Sequence, residues 1–354
     1  MAKKRKTKNK IKGIVVIGTL LIIVGLCTYL TMNDNDKKNS LFDKDDNPET
    51  ETNTPVEVKK LKIVDPESKT RPFAIMINNH PQAWPQAGLQ EAYMVYEMIV
   101  EGGITRMLAL YKDAATASIG SVRSARHYFL DYAAENDAIY VHFGWSPQAE
   151  SDIKSRRINN INGMIDAAGF WRDSTLKRPY EHTVFTSIDK LKTLADKKGY
   201  AKNTDKDLLL NYSIDEININ DKDGSKQAHN ISITYSSSHT TKYTYNEAEG
   251  VYYRVMRDIK NVDLINGKQY TTKNIIVISV ENYALDSSGR QELRNTGTGD
   301  GYYITNGHAV PIKWKKDTHS SQTIYTYLDG KEITVNDGNT YIQIQPKGQS
   351  LKID

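Results

Sequence analysis

Cysteine is almost missing from this chain: Cys27 is the sole one in 354 residues. A single thiol forms no disulfide within the chain and builds no all-cysteine metal site. The eight histidines include no HExxH and no close pair with zinc-finger spacing, so no metal motif is present. Apolar content is low as well. Hydrophobic residues make up 38% and the mean hydropathy is −0.59, which excludes a polytopic membrane protein. A basic body is the last absence. The formal net charge is +4, yet residues 1–12 hold seven Lys or Arg and no acid, so everything after them is net acidic. A diffuse nucleic-acid-binding surface needs the opposite, and no nucleic-acid partner is expected.

The one long apolar run lies at the start. Residues 13–32 carry no charged side chain over twenty positions, and at ~1.5 Å per residue they span the ~30 Å of a bilayer's hydrocarbon. The basic dozen precedes this run and Asn33-Asp34-Asn35-Asp36 follows it. Positive-inside bias then predicts a single-pass transmembrane helix in the cell membrane, with residues 1–12 as a cytoplasmic tail and all later residues extracytoplasmic. Two other addresses compete. A cleaved signal peptide has a shorter apolar core and an A-x-A-like cleavage site, and neither is evident. A bacterial lipoprotein would acylate Cys27, but Leu26 is large where a small residue is normal, and the run continues past it to Met32. A buried helix of a soluble core leaves the basic flank unexplained.

Residues 33–57 are rich in Asp, Asn, Glu, Thr and Lys, a composition that buries no core and reads as a disordered linker. From 58 to 200, strand-like runs (73–78, 93–100, 106–111, 138–143, 182–186) alternate with helix-like ones (124–135, 147–156, 188–198, the last behind Ser187 as N-cap). That alternation predicts an α/β layered domain. A polar connection at 201–228 follows. Residues 229–354 alternate short Tyr-, Thr-, Val- and Ile-rich runs with turn pairs such as Asn266-Gly267, Asn306-Gly307 and Asp329-Gly330, the pattern of a smaller antiparallel β-rich domain. The whole is expected to be α+β.

Residues with chemistry cluster between 71 and 126. The first strand leads into the polar loop Asn78-Asn79-His80-Pro81-Gln82, and loops leaving buried strands commonly carry function. The next strand ends in Glu101-Gly102-Gly103-Ile104-Thr105-Arg106, where two glycines permit a tight turn. Arg123 and Arg126 flank Ser124, and a helix beginning near Ser121 or Ser124 would place both guanidinium groups at its N-terminus, a seat for phosphate or carboxylate. The candidate anion-binding set is therefore Arg106, Arg123, Arg126, Ser124, Asn79, His80, Glu101 and Thr105. The opposing reading pairs an arginine with Glu97, Glu101 or Asp131 as a structural ion pair. His80, His142 and His182 end predicted strands; His142 and His182 are secondary candidates, and hydrogen-bonded roles fit all three better than metal ligation. Ser146 precedes a proline and lacks a nucleophile elbow. Gly297-Thr298-Gly299-Asp300-Gly301 precedes a strand rather than a helix, so it reads as a hairpin turn and not a dinucleotide loop. Most of Trp84, Trp145, Trp171 and Trp314 are expected in packing rather than on sugar rings.

The phrases Asn78-Asn-His-Pro-x-Ala-x-Pro-Gln-x-Gly-Leu89, Val100-Glu-Gly-Gly-Ile-Thr-Arg106 and Ile119-Gly-x-Val-Arg-Ser-Ala-Arg126 resemble the YerB-like family of predicted lipoproteins of Gram-positive bacteria. Arg178-Pro-Tyr-Glu-His-Thr183 and Gly297-x-Gly-x-Gly-Tyr-Tyr-Ile-Thr-Asn-Gly307 extend the resemblance over roughly residues 60–347. It implies an envelope location and two domains, both of undefined biochemical role. A second similarity, in the order of strand, Arg106, strand and Arg123-x-x-Arg126, is to the LytR-CpsA-Psr phosphotransferases. Those are anchored by an N-terminal helix and transfer polymers from polyprenyl-pyrophosphate carriers with magnesium beside their arginines. Here Gly-Gly-Ile-Thr-Arg stands in place of their Arg-Ser-Asp-Thr motif, and no clear Pro-Arg-Asp follows. The leading expectation is an anchored binding or accessory module at the cytoplasmic membrane, with peptidoglycan or lipid-linked envelope precursors as partners and no cofactor. The alternatives are a phosphotransferase, which alone would call for magnesium, and a protein-binding scaffold.

Overall fold

Strands whose residues are apolar without alternation need cover on both faces, and three such runs build the centre of the fold. They are β1 (Phe73–Asn78), β2 (Met94–Ile99) and β3 (Thr105–Tyr111), and every residue in them is buried. The computed structural model describes residues 60–354, all within one compact unit. The expected cytoplasmic tail 1–12, membrane helix 13–32 with Cys27, and linker 33–57 lie outside the described residues. Among the described residues no helix is long and apolar enough to cross a membrane.

An eleven-stranded mixed sheet runs through the unit. β3 lies antiparallel between β1 and β2. Beyond β1 come Ile139–His142 and Asn160–Asn162, each parallel to its neighbour. Beyond β2 come Thr340–Pro346 and Asn274–Val280, again parallel, and then the antiparallel pair Gly297–Thr305 and His308–Lys316. The α/β portion and the β-rich portion thus share one sheet, and the arrangement as a whole is α+β. Asn274–Val280 and Thr340–Pro346 are nearly or fully buried along their length, as interior strands must be.

A second, six-stranded antiparallel sheet lies against one face of the first. Its strands alternate: in Asn230–Ser236, His239–Asn246 and Val251–Met256, buried residues alternate with more exposed ones. Tyr235 ties the two sheets by donating to Glu97 O at 3.2 Å and Gln343 Oε1 at 3.0 Å. The opposite face is covered by α1 (Phe129–Glu135), where Tyr96 on β2 donates to Glu135 at 2.6 Å. Two further helices are α2 (Pro147–Ser155) and α3 (Ile188–Lys197). Ser146 and Ser187 cap them, accepting from Ala149 N and Lys190 N. The Ser146 side chain is therefore engaged in a helix cap.

Two expectations are corrected. The helix expected over 124–135 spans only Phe129–Glu135. Residues 121–126 are extended instead, because their backbone bonds β1 on one side and the 143–146 segment on the other. The glycine-rich 297–301 stretch is strand, not turn; the turn falls at Asn306-Gly307. Its glycines serve close packing, since a Cβ at Gly299 would meet Trp314 Nε1 at 2.5 Å and one at Gly301 would meet Val277 O at 2.4 Å.

Gly301→Ala should therefore destabilise the protein. A clash with backbone cannot relax by a rotamer change, and overpacking costs about 1–3 kcal/mol, so the thermal midpoint should fall by several degrees. Thr298→Ala, at an exposed position on the same strand, should leave it unchanged. Equal melting of both variants would contradict this packing.

Candidate functional site

Pleating sends neighbouring side chains to opposite faces, and this decides which candidate residues meet. Asn78, Arg106 and Met98 are cross-strand partners and share one face. Thr105, next to Arg106, points the other way and donates to Glu97 Oε1 at 2.7 Å. Two separate polar clusters result.

The first faces the second sheet. Val251–Met256 turns Arg254 inward, and its Nη2 lies 2.8 Å from Glu97 Oε2, with neither side chain more than 1% exposed. Glu97 Oε1 also accepts from Asn79 at 3.1 Å and Thr241 at 2.9 Å. Asn79 Oδ1 accepts from Gln86 at 2.9 Å, Gln86 Oε1 from Asn261 at 2.8 Å, and Asn261 Oδ1 from Arg254. A ring of hydrogen bonds closes through five residues, with Trp84 donating to Asn79 from outside at 3.0 Å. His239 Nε2, 3.0 Å from Thr105 Oγ1, donates there, because the Thr105 proton is already given to Glu97. Burial alone would raise the Glu97 pKa, but the Arg254 charge and the His239 and Arg254 hydrogen bonds hold it far below the usual carboxylate range. This ring closes on itself and is structural, with Arg254 Nε left as a buried donor that has no hydrogen-bond partner among the described residues. Asn79 belongs to it and Thr105 bonds its Glu97, so both lie on the face away from the other residues of the expected anion-binding set.

The second cluster lies where parallel strands end. β1, Ile139–His142 and Asn160–Asn162 all run the same way, and the carboxyl ends of parallel strands form the ligand crevice of open α/β sheets. The extended 121–126 segment crosses this edge. Arg123 N bonds Met76 O at 2.9 Å, Phe143 N bonds Arg123 O at 3.0 Å, and Ala125 N bonds Gly144 O at 2.9 Å. The glycines at 102 and 103 both take left-handed φ, 72° and 69°, a turn that glycine adopts without strain and that brings Glu101 to the same edge. Arg126 grips Glu101 with two bonds, 2.6 and 3.0 Å, which is the structural ion pair weighed in the sequence.

The other arginines are held differently. Arg106 is 8% exposed and donates to Ser124 O at 2.6 Å. Arg123 donates to Glu181 O at 3.2 Å, Arg172 to Tyr180 O at 2.5 Å, and Arg178 to Ala83 O and Pro85 O at 2.8 and 3.1 Å. Each bonds backbone carbonyls, and among the described residues none of the four makes an ion pair with a carboxylate. Burial, then the Arg126 charge, lowers Arg106 to about 9, still cationic at neutral pH.

Two histidines complete this edge. His80 and His182 stack with ring centroids 4.9 Å apart and 11° between planes. Asn78 sets the His182 tautomer: its Oδ1 accepts from His80 N at 3.1 Å, which leaves its Nδ2 to donate to His182 Nδ1 at 2.7 Å. His80 Nδ1 likewise accepts from Gln82 N. Both neutral rings therefore carry their proton on Nε2. Burial and then the Arg123 charge lower both, His182 to about 4, so both are neutral donors at physiological pH.

Sequence reasoning gathered Arg106, Arg123, Arg126, Ser124, His80, Glu101 and the secondary candidate His182, and the structure brings these to one edge. His142 is apart, its Nδ1 donating to Gly144 O at 2.8 Å, so the three histidines do not converge. Among the described residues no group of three or more His, Cys, Asp or Glu is placed to hold a metal ion. The helix N-terminus proposed to carry the anion is replaced by an extended strand-like segment. Missed were Asn78, Arg172 and Arg178, the last visible within the Arg178-Pro-Tyr-Glu-His-Thr183 phrase, and Arg254, whose signal is an arginine at an inward position of an alternating strand. Hollows of about 1010 Å³ beside Tyr245 and Tyr253 and about 620 Å³ beside Lys112 and Asp263 lie elsewhere.

Fold and site together define an α+β protein in which two sequence segments share a central sheet and a strand-end edge gathers unpaired arginines. The same two segments are matched by the family models described as "Protein of unknown function (DUF3048) N-terminal domain", over residues 61–201, and its C-terminal domain, over residues 231–342. The chain belongs to this family. It is 31% identical over 307 residues to the "Putative lipoprotein YerB" of Bacillus subtilis (strain 168), covering 86% of this chain and 89% of that protein. The crystal structure of the YerB protein from Bacillus subtilis superposes with a TM-score of 0.70 at 30% identity, covering 80% of this chain and 94% of that one.

The Glu97–Arg254 ring yields a stability prediction. Removing one partner of a buried ion pair costs about 3–5 kcal/mol, so Glu97→Ala should lower the denaturant midpoint strongly. Because the folded Glu97 pKa lies below the unfolded value of about 4.3, its contribution is complete above that pH and is lost as pH falls towards the folded pKa. Glu97→Gln should flatten the fall of stability with pH below about 4.5. An acid limb as steep as the wild type's would contradict this.

Proposed function

We propose that this protein is an extracytoplasmic accessory module of the cell envelope, anchored through its N-terminal apolar run, that binds an anionic ligand at the strand-end edge. The carrying observation is that Arg106, Arg123, Arg172 and Arg178 are positioned by backbone carbonyls and not by carboxylates. A carbonyl orients a guanidinium without neutralising it, so positive charge is held in place and left available, the condition for charge-assisted binding of phosphate or carboxylate. The Nε2–H groups of His80 and His182 add neutral donors. The basic block and apolar run of residues 1–32, and the lipoprotein name of the relative in Bacillus subtilis, support the anchored location. Peptidoglycan fragments and lipid-linked precursors are envelope molecules with the required charge.

A phosphotransferase would need carboxylates beside the arginines. Of Glu97, Glu101, Asp113 and Asp131, Glu101 alone reaches the edge, and both its oxygens are engaged by Arg126, while Glu181, close enough to act on Arg123, is exposed. Glu97 lies on the opposite face of the sheet with Arg254, Asp131 pairs with Arg156 and His319, and Asp113 borders the hollow beside Lys112. These placements favour binding over transfer.

Inorganic phosphate and a soluble muropeptide are the probes. The full chain in phosphatidylcholine nanodiscs should bind at least one of them. Arg123→Gln, at a half-buried position, should weaken that binding tenfold or more while the melting temperature stays within ~2 °C, because a hydrogen bond to a charged group contributes roughly 1.5–3 kcal/mol. In the wild type the anion should also raise the His182 pKa from about 4, since a bound negative charge favours imidazolium; imidazole NMR titration reads this directly. No binding of either probe, or binding indifferent to Arg123→Gln, overturns the site.

A further inference from the structure

The cationic edge carries an apolar rim. Asn160–Asn162, outermost of the parallel strands, runs into Gly163-Met164-Ile165. This turn is built, not loose: Gly163 N bonds His142 O at 2.9 Å, Ile165 N bonds Asn162 O at 2.8 Å, and Met164 N bonds Asn162 Oδ1 at 3.1 Å. Yet Met164 is 65% and Ile165 68% exposed, and Tyr180 on the neighbouring turn is 72% exposed. These are three of the four most exposed large apolar side chains among the described residues, so the exposure concentrates at this edge.

Contacts tie the rim to the arginines. A Cβ placed on Gly144 would lie 3.3 Å from Ser124 Oγ and 3.9 Å from Met164 Cγ, so Met164 and Ser124 flank the same glycine, and the Ser124 carbonyl holds Arg106. The Arg172 guanidinium lies 3.6 Å from the Tyr180 ring centroid and 5.1 Å from that of Phe143. Gly163 in turn packs against Phe143. Scattered exposed apolar residues need no explanation. Here Tyr180 covers the Arg172 guanidinium and Met164 flanks the glycine beside Ser124, next to cations that make no ion pair with a carboxylate, and the two features call for different halves of one molecule.

We infer that the ligand of this edge is an anionic amphiphile, a phosphate ester of a hydrocarbon chain, with its head at Arg106, Arg123 and the His80–His182 pair and its chain along Met164, Ile165 and Tyr180. This rests on the anion-binding reading above and adds the chemistry of the rest of the ligand. The phosphate supplies several acceptor oxygens for a set of separate donors, and the hydrocarbon removes from water the side chains that the fold leaves in it.

Inorganic phosphate and hexyl phosphate, titrated calorimetrically into the full chain in phosphatidylcholine nanodiscs with empty-nanodisc heats subtracted, separate the two ideas. Hexyl phosphate should bind at least tenfold more tightly than inorganic phosphate, since burying about two of its methylene groups corresponds to roughly that factor. The double variant Met164→Ser, Ile165→Ser should reduce hexyl phosphate to the affinity of inorganic phosphate and leave inorganic phosphate unchanged. Arg123→Gln should weaken both. Hexyl phosphate binding no tighter than phosphate, or an advantage that survives in the serine variant, overturns the amphiphile while leaving the anion site standing. No chain effect in the wild type together with indifference to Arg123→Gln overturns both.

Discussion

A carboxylate at zero exposure in the middle of a sheet must find a cation, and Glu97 finds one 157 residues further along the chain, in Arg254. Much of the structure follows from that requirement. Arg254 can reach Glu97 only if the second sheet lies flat on the first, and only if its strands keep the register that turns Tyr252, Arg254 and Met256 inward. A one-residue slip would send Arg254 to solvent and leave Glu97 uncompensated. Asn79, Gln86 and Asn261 then close the ring, so that the loop leaving β1 is held by the same charge pair that joins the sheets. Such a pair adds little net stability over apolar packing, but it penalises every alternative alignment of the two sheets heavily.

That ring explains why the other side of the same strands is free for a different task. Asn79 faces Glu97 and Asn78 faces His182; Thr105 faces Glu97 and Arg106 faces Ser124. Adjacent residues divide between a closed structural cluster and an open cationic one. Charge is treated oppositely in each. Where Arg254 meets Glu97, the guanidinium is neutralised and buried. Where Arg106, Arg123, Arg172 and Arg178 meet carbonyls, geometry is specified and charge is kept.

Much of the fold was legible because the physics was local. All-apolar runs such as Phe73–Asn78 and Asn274–Val280 announce strands buried on both faces, and Ser187 announces a helix start. What the sequence did not show is that Asn274–Val280 and Thr340–Pro346 pair with the N-terminal strands, since a run that needs cover on both faces does not say which strand lies beside it. The 121–126 segment misled for a related reason. Its small and polar residues suit a helix start, but Ser121, Arg123 and Ala125 find backbone partners in β1 and the 143–146 segment, and tertiary hydrogen bonds outweigh weak helix propensity. The glycines at 297–301 were read as turn chemistry when they serve close approach to Trp314 and Val277. Within the site, the arginines and His80 were visible as a dense motif. The division of Asn78 from Asn79 and Arg106 from Thr105 required the pleat direction, which the sequence leaves open by one residue.

The position of the cationic edge is itself an argument about its use. Unpaired arginines scattered over a surface are solvated and carry no information. Here they are held by backbone carbonyls from three separate stretches, residues 83–85, 124 and 180–181, converging on the carboxyl ends of parallel strands. Arg178 ties the 178–182 turn to the 83–85 segment, and Arg123 and Arg172 hold the same turn from the other side. Burial first, and neighbouring positive charge second, lower the pKa values of Arg106, His80 and His182, so holding these groups together costs energy in the unliganded state. A fold that served stability alone would relieve that repulsion with a carboxylate, as it does at Glu101 and Glu97. At this edge Glu101 pairs with Arg126 alone, and the four arginines held by carbonyls are left without an ion pair; that imbalance is the ground for proposing an anion here, and the exposed Met164, Ile165 and Tyr180 beside it are the ground for proposing one that carries hydrocarbon.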